Sequence, residues 1–287
     1  MKAERGRIKV GLIGYPVEHS LSPAMQNAAF AALGMEGCYS LLPTRPEDFS
    51  AQIERCVREG YTGWNITVPH KERMLPYLQS MAPEVEATGA CNTVRVENGE
   101  LVGYNTDITG FLKGLEEAGG IGDGSRTVVL GAGGSARAVV YALASAGHSV
   151  IILARNVGQA GGLAGSLSEV IKAHIEYGLL TADTINANVQ DAALLVNCTP
   201  AGMWPHTDTT PLPDGTRLPG HLLVYDLVYR PRPSLLLEIA TGGVCRTQDG
   251  LAMLIGQGAA AFKIWTGQAP PQNVMRDACL QELERRS

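Results

Sequence analysis

The sequence predicts an α/β protein built as two open parallel-sheet domains, and three observations carry that expectation. Apolar runs of strand length alternate with helical stretches along the whole chain. A chain of 287 residues is long enough for roughly two cores of ordinary size. A glycine-rich break, GGIGDGS at 119–125, divides the chain, and the strand–helix–strand alternation is cleaner after it.

Taken in order, IKVGLIG (8–14) reads as a buried strand, followed by a turn and a helix starting near Pro23, because proline suits a first helical position. CYSLLP (38–43) is a second strand, and 46–59 is a helix opened by RPEDF. YTGWNIT (61–67) is a third strand, with a helical stretch expected after Pro69. NTVRVENGELVGYNT (92–106) places Asn98-Gly99 between two alternating runs, a strong hairpin signal. A helix then covers 108–118. Beyond the break come RTVVLGA, SARAVVYALASAG and HSVIILAR as strand, helix and strand, then strands at 192–199 and 222–228. A helix at 234–241, a short strand at 244–247 and two helices over 250–286 complete the chain. Strands separated by helices imply parallel pairing with right-handed crossovers. The domains are expected at 1–107 and 108–245, with 246–287 returned to the first because its helices have no strands of their own.

Composition narrows the function classes. Hydrophobic residues at 45% against 18% charged suit a compact protein and argue against disorder. The net charge of −5, with no block of like charge beyond Arg285-Arg286, argues against nucleic acid or an anionic membrane as a partner. The six cysteines include no Cys-x-x-Cys pair, which fits reduced thiols in the cytoplasm. The first apolar run is too short for a signal peptide and no stretch is long enough to span a membrane, so a soluble, cytoplasmic protein is expected. The histidines lack metal-ligand spacing, so no metal is expected, and a G-x-S-x-G nucleophile elbow is absent.

VVLGAGGSARAVV is the motif with the best context. Gly131, Gly133 and Ala136 fill a G-x-G-x-x-A pattern between a strand and a helix. The first glycine permits a tight turn and the second lets backbone approach a pyrophosphate. The small third residue lets helix and strand close up, with the helix N-terminus facing the anion. The other reading is a mere tight turn, but strand, loop, helix and second strand stand in register, which favours a dinucleotide site. The strand after that helix ends ILARN, with Arg155 where an NAD site carries Asp or Glu. A guanidinium there suits a 2′-phosphate, so NADP is the expected cofactor, the alternative being an arginine exposed at a strand end.

In the first domain, polar groups gather at strand ends: Ser20 and Ser22, then Asn65, Thr67 and Lys71, then Asn92, Asn105 and Asp107. Loops beyond the carboxyl ends of a parallel sheet converge on one crevice, and these are groups that hold a polyhydroxylated acid. Each has a plainer alternative. Ser20 or Ser22 could cap a helix, Asn92 could cap a strand, and Lys71 could be a solvated charge. Gln257 is an amide on a helix otherwise lined by Met253, Leu254, Ala260, Ala261 and Ile264. If buried it needs partners, which a ligand or the backbone could supply.

These stretches carry a resemblance. GYPVEHSLSPAM, NITVPHK, GACNTV, GYNTDITGF, GAGGSARA, NCTPAGM, YDLVYRP and DGLAMLIGQGAAAF stand in the order and spacing of the shikimate dehydrogenase family, over residues 8–280. The resemblance implies a Rossmann-type NADP-binding second domain and a substrate cleft between the two. It also implies reversible NADP-linked reduction of 3-dehydroshikimate to shikimate, a step of aromatic amino-acid biosynthesis. Carried over by position, Ser20, Ser22, Thr67, Asn92 and Gln257 match substrate ligands, Tyr229 lines the substrate site, and Lys71 and Asp107 match the catalytic pair. Gly131, Ala132, Gly133, Gly134 and Ser135 match the phosphate loop, while Met203, Leu227 and Gly250 fall near the nicotinamide. Ala154, Asn156 and Gln159 depart from the arginine-richer stretch common in the family, Gln26 stands where histidine is common, and Ile108 stands where glycine is usual.

Hydride leaves a secondary alcohol as the proton leaves its oxygen, so a proton acceptor must sit within hydrogen-bond reach. Lys71 is expected to give and take that proton while Asp107 positions the ammonium and the substrate, the two titrating jointly. Other readings are a quinate/shikimate dehydrogenase using NAD, which the two serines and Arg155 count against, and a ligand-sensing regulator, for which no basic helix is left over. A purely structural protein would not need so many polar groups at one sheet edge. The expected assembly is a monomer or a homodimer.

Overall fold

The structure, a computed structural model, describes residues 7–286. The chain divides into two compact units: one runs to Gly110 and resumes at Leu254, and the other is Phe111–Met253.

The first unit contains β1 (Ile8–Gly14), α1 (Ser22–Ala32), β2 (Gly37–Pro43), α2 (Phe49–Arg58), β3 (Gly63–Ile66), β4 (Ser80–Met81), α3 (Pro83–Thr88), β5 (Thr93–Glu97), β6 (Glu100–Tyr104) and the start of α4 (Asp107–Glu117). Its six-stranded sheet has the order β2-β1-β3-β5-β6-β4. β1 runs parallel to both β2 and β3, while the β5–β6 hairpin joins β3 antiparallel. The hairpin turn is made by Asn98 and Gly99, whose φ values of 52° and 87° are the left-handed pair that a two-residue turn of this kind requires. β1, the central strand of the parallel group, buries Val10 and Ile13 completely.

The helix expected after Pro69 does not form. Residues 71–74 are turns followed by a short 3-10 segment, Leu75–Tyr77. The Lys71 carbonyl, which a helix would give to the N–H four residues on, accepts instead from Cys91 at 2.9 Å. Pro76 has no N–H with which to continue the ladder. β3 is also shorter than the apolar run that marks it, and the helix over 46–59 opens with a 3-10 turn, Pro46–Asp48.

The second unit holds β7 (Arg126–Leu130), α5 (Gly134–Ser145), β8 (Ser149–Ala154), α6 (Val157–Ile171), β9 (Glu176–Leu179), α7 (Ala182–Val189), β10 (Ala192–Asn197), β11 (Leu223–Asp226), α8 (Leu235–Gly242) and β12 (Arg246–Gln248). Its sheet is parallel throughout, in the order β12-β11-β10-β7-β8-β9. The expectations from sequence left α6, β9 and α7 out. Glycines 158, 161, 162 and 165 hide α6, because glycine is a poor helix former. The helix survives on its buried stripe of Ala160, Leu163, Ala164 and Leu167 and on the Asn156 side chain, which caps it by accepting the Gln159 N–H at 3.1 Å. Gly161 has a steric reason: a Cβ there would lie 3.0 Å from the Tyr177 ring on β9.

Two last helices close the chain, α9 (Leu251–Thr266) and α10 (Gln272–Arg285). Within the first unit α10 lies along α1, Phe262 packs on Phe30 with ring centroids 4.8 Å apart, and Trp265 donates to the Val94 carbonyl at 2.9 Å. Among the described residues no helix is long and apolar enough to cross a membrane.

Candidate active site

In the first unit the polar residues meet because of strand register. Asn65 at the carboxyl end of β3 pairs with Thr93 at the start of β5, and Thr93 pairs with Tyr104 at the end of β6. The antiparallel hairpin therefore delivers Asn92 from one side and Asn105, Thr106 and Asp107 from the other to the edge where β3 hands over to Thr67 and Lys71.

There Lys71 Nζ donates to Asp107 Oδ2 at 2.5 Å, with side-chain exposures of 11% and 8%, so the pair is shielded but reachable. Asp107 opens α4, where a negative charge is favoured by the helix dipole. Its other oxygen accepts from Asn92 Nδ2 at 2.7 Å, and its N–H donates to Asn105 Oδ1 at 3.2 Å. Asn92 also donates to Thr106 Oγ1 and accepts from Thr93 Oγ1 and the Thr106 N–H, so its amide is spent on the protein. Behind it Asn65 donates to Thr93 Oγ1 and accepts from the Tyr39 hydroxyl. Buried Cys91 follows the same loop, and burial pushes its thiol up to about 12, so it stays protonated, with Sγ against the Thr93 carbonyl.

The other expected substrate groups are placed separately. Ser20 Oγ accepts the Ser22 N–H at 3.1 Å, turning the chain into α1, and buried Ser22 lies against the Tyr39 hydroxyl. Thr67 is half-buried and anchored by its N–H to the Ile13 carbonyl. Gln257 is half-buried and donates to the Leu254 carbonyl of its own helix at 2.8 Å. The fully buried glutamine is Gln26, which donates to the Gly258 carbonyl at 2.9 Å. Tyr39, Thr93 and Thr106 are the members of this network that sequence reasoning did not single out. For Tyr39 and Thr93 the signal was a hydroxyl inside a short strand run, as in GCYSLLP and TVRVE.

The second unit carries the expected anion site. After β7, Gly131 takes φ +102° and donates to the Leu153 carbonyl at 2.8 Å. Gly133 stands at the N-cap of α5 without a side-chain cap, so no N-cap side chain competes with an anion at the start of that helix. Ala132 is half-buried in the loop, and Ala136 is fully buried beneath it. Arg155 is exposed directly after β8, while its neighbour Asn156 is used as a helix cap. These groups fit a dinucleotide: a glycine turn, an uncapped helix start and a cation at the next strand end.

The loops after β10 and β11 rest on a buried carboxyl. Asp226 accepts from Asn197 at 2.8 Å, Ser234 at 2.5 Å and the Val228 N–H at 3.0 Å. Burial raises its pKa, against the pull of those donors. Leu227 donates through its N–H to the Asn197 carbonyl, and Gly250 comes so close that a Cβ would fall 2.0 Å from the Leu227 carbonyl oxygen. Met203 is exposed and Tyr229 half-buried in these loops. Among the described residues no three His, Cys, Asp or Glu side chains are grouped to hold a metal ion.

Residues 12–94 match the shikimate dehydrogenase substrate binding domain, and residues 250–280 match the shikimate 5′-dehydrogenase C-terminal domain. The shikimate dehydrogenase (NADP(+)) of Moorella thermoacetica is 46% identical over 95% of this chain and 92% of that protein. The crystal structure of shikimate 5-dehydrogenase from Thermus thermophilus in complex with NADP(H) and shikimate superposes with a TM-score of 0.85 at 36% identity, covering 96% of this chain and 99% of that one. Quinate dehydrogenase from Corynebacterium glutamicum in complex with NAD superposes with a TM-score of 0.87 at 32% identity, again covering 96% and 99%. The chain belongs to the shikimate dehydrogenase family.

Proposed function

We propose that this protein catalyses the NADP-linked, reversible reduction of 3-dehydroshikimate to shikimate, with Lys71 and Asp107 as its catalytic pair. The observation that carries the reading is the Lys71–Asp107 contact, braced by Asn92 at a sheet edge rich in hydroxyls and amides. NADP⁺, when bound, supplies the hydride acceptor. The chain's own part is to bind, orient and move a proton. Lys71 Nζ gives or takes the proton at the substrate oxygen, a role that needs hydrogen-bond reach rather than bulk charge. Asp107 fixes the ammonium and Asn92 fixes Asp107. Ser20, Ser22, Thr67 and Gln257 hold the remaining polar groups of the acid.

Substrate binding belongs to residues 1–107 with 246–287, and NADP binding to 108–245. The loop Gly131–Ser135 holds the pyrophosphate, Arg155 the 2′-phosphate, and Leu227 lines the nicotinamide site together with Gly250 from the segment that follows. The enzyme works in the cytoplasm, as a monomer or a homodimer, in the formation of aromatic amino acids.

The test is a spectrophotometric assay of the purified protein with shikimate and with quinate, each against NADP⁺ and NAD⁺. Turnover should be greatest with shikimate and NADP⁺. A preference for quinate and NAD⁺ would assign the protein to the activity named for the Corynebacterium glutamicum relative, a reading that gains weight from Asn156 being used as a cap rather than as a phosphate ligand.

A further inference from the structure

Tyr39 lies on β2, away from the Lys71 loop, yet hydrogen bonds run from it to the catalytic pair without a gap. Its hydroxyl donates to Asn65 Oδ1 at 2.8 Å, and Asn65 Nδ2 donates to Thr93 Oγ1 at 2.9 Å. Thr93 Oγ1 donates to Asn92 Oδ1 at 2.9 Å, and Asn92 Nδ2 donates to Asp107 Oδ1 at 2.7 Å. Every donor points toward the Asp107 carboxylate. Every link is interior, with Tyr39, Asn65, Thr93, Asn92 and Asp107 all at 5% exposure or less. Tyr39 itself is bolted in place: Asn27 accepts its N–H at 2.8 Å and donates to its carbonyl at 3.1 Å, and its ring meets Trp265 at 6.1 Å. Ser22 faces the same hydroxyl, so the chain starts at the serine pair and ends at the proton-transfer pair.

We propose that Tyr39 is a positioning residue: its hydroxyl holds the Asn65 amide in place and, through Thr93 and Asn92, steadies the seat of the Asp107 carboxylate beneath Lys71. The proposal rests on the reading of Lys71 and Asp107 as the catalytic pair. An amide has two orientations that exchange donor for acceptor. The Asn92 backbone carbonyl can only accept, so it takes Nδ2 and turns Oδ1 toward the Tyr39 hydroxyl, whose proton then locks that orientation. In that orientation Nδ2 serves both Thr93 Oγ1 and the Asn92 carbonyl. Thr93 is thereby left with its own proton for Asn92, whose N–H₂ side must then face Asp107. Such chains strengthen link by link in a buried setting, and a break at one end is felt at the other.

Tyr39→Phe removes the hydroxyl and keeps the ring. With shikimate and NADP⁺, kcat should fall by about five- to tenfold, the effect of one net hydrogen bond, while the KM for NADP⁺ stays within about twofold. Thr93→Val cuts the same chain further along, and the double variant should fall no further than about the worse single variant, because a broken chain cannot be broken again. Wild-type kcat in Tyr39→Phe would overturn the proposal. So would multiplicative losses in the double variant, which two independent packing defects would produce. Wild-type protein inert toward shikimate with NADP⁺ would overturn the functional reading beneath it, an outcome visible before any variant is made.

Discussion

Lys71 Nζ and Asp107 Oδ2 lie 2.5 Å apart, and they come from segments that the sequence separates by a hairpin. The contact is made at the sheet edge rather than on the surface, so the lysine is not a freely solvated charge. Its ammonium matters most when charge shifts at the substrate oxygen. Lys71→Ala should therefore lower kcat by about 10²–10⁴-fold, the usual size of a lost general acid–base, with a much smaller change in the KM for shikimate. Arginine keeps the charge but cannot release a proton, so Lys71→Arg should not restore the rate. Steady-state kinetics of the two variants settle the point, and near-normal turnover in either would remove Lys71 from the chemistry.

Arg155 is exposed directly after β8. Only NADP⁺ carries a 2′-phosphate, so Arg155→Ala should raise the KM for NADP⁺ far more than that for NAD⁺. An equal rise in both would show that the guanidinium does not read that phosphate.

How far the sequence could be read depended on whether each feature is local. The Asn98-Gly99 turn, the glycine loop after β7 and the strand-end positions of Lys71 and Asp107 are written within a few residues, and each was visible. The Tyr39–Asn65–Thr93 links were not, because they depend on the register of β3 against β5 and on β2 lying beside β1. α6 was hidden by its glycines, since propensity reads against a helix that tertiary packing and an Asn156 cap hold together. After Pro69 the error ran the other way. A helix-like run was recruited instead to present His70 and Lys71, its carbonyl taken by Cys91. Gln257 drew attention as a buried amide, whereas the fully buried glutamine is Gln26, whose surroundings come from a helix far away in sequence.

Gly250 sits between β12 and α9, where a Cβ would meet the Leu227 backbone rather than a side chain that could move aside. Gly250→Ala must therefore shift one of two backbone segments. Such overpacking costs about 1–3 kcal/mol, which for a protein of this size lowers Tm by roughly 3–10 °C. Because Leu227 would move, the KM for NADP⁺ should rise as well, while Leu251→Ala, which opens space instead of closing it, should lower Tm without that clash. Calorimetry and cofactor titration of Gly250→Ala check both effects, and an unchanged Tm would mean the Leu227 loop yields freely.

His70 precedes Lys71 and is fully buried, stacked on Phe49 at 4.4 Å with Nε2 2.8 Å from the Thr44 carbonyl oxygen. That contact places the ring proton on Nε2 and leaves Nδ1 as a buried lone pair without a protein partner. Burial depresses the pKa below the ordinary value of 6.5, outweighing the Thr44 hydrogen bond, and the nearby Arg73 charge pushes the same way. The sign follows from linkage. Between the depressed folded value and the unfolded one, only the unfolded chain takes the proton, so stability falls as pH drops below about 6.5 and the loss is complete at the folded value. His70→Gln keeps an N–H for Thr44 and removes the titration. Its Tm at about pH 7 should lie below that of the wild type, since the Phe49 stack is lost, but the gap should narrow toward about pH 5, where the wild type alone bears the cost of charging an imidazole. Parallel Tm–pH curves for the two proteins would show that His70 does not titrate on unfolding and that its neutral ring is not what holds the Lys71 loop to Thr44.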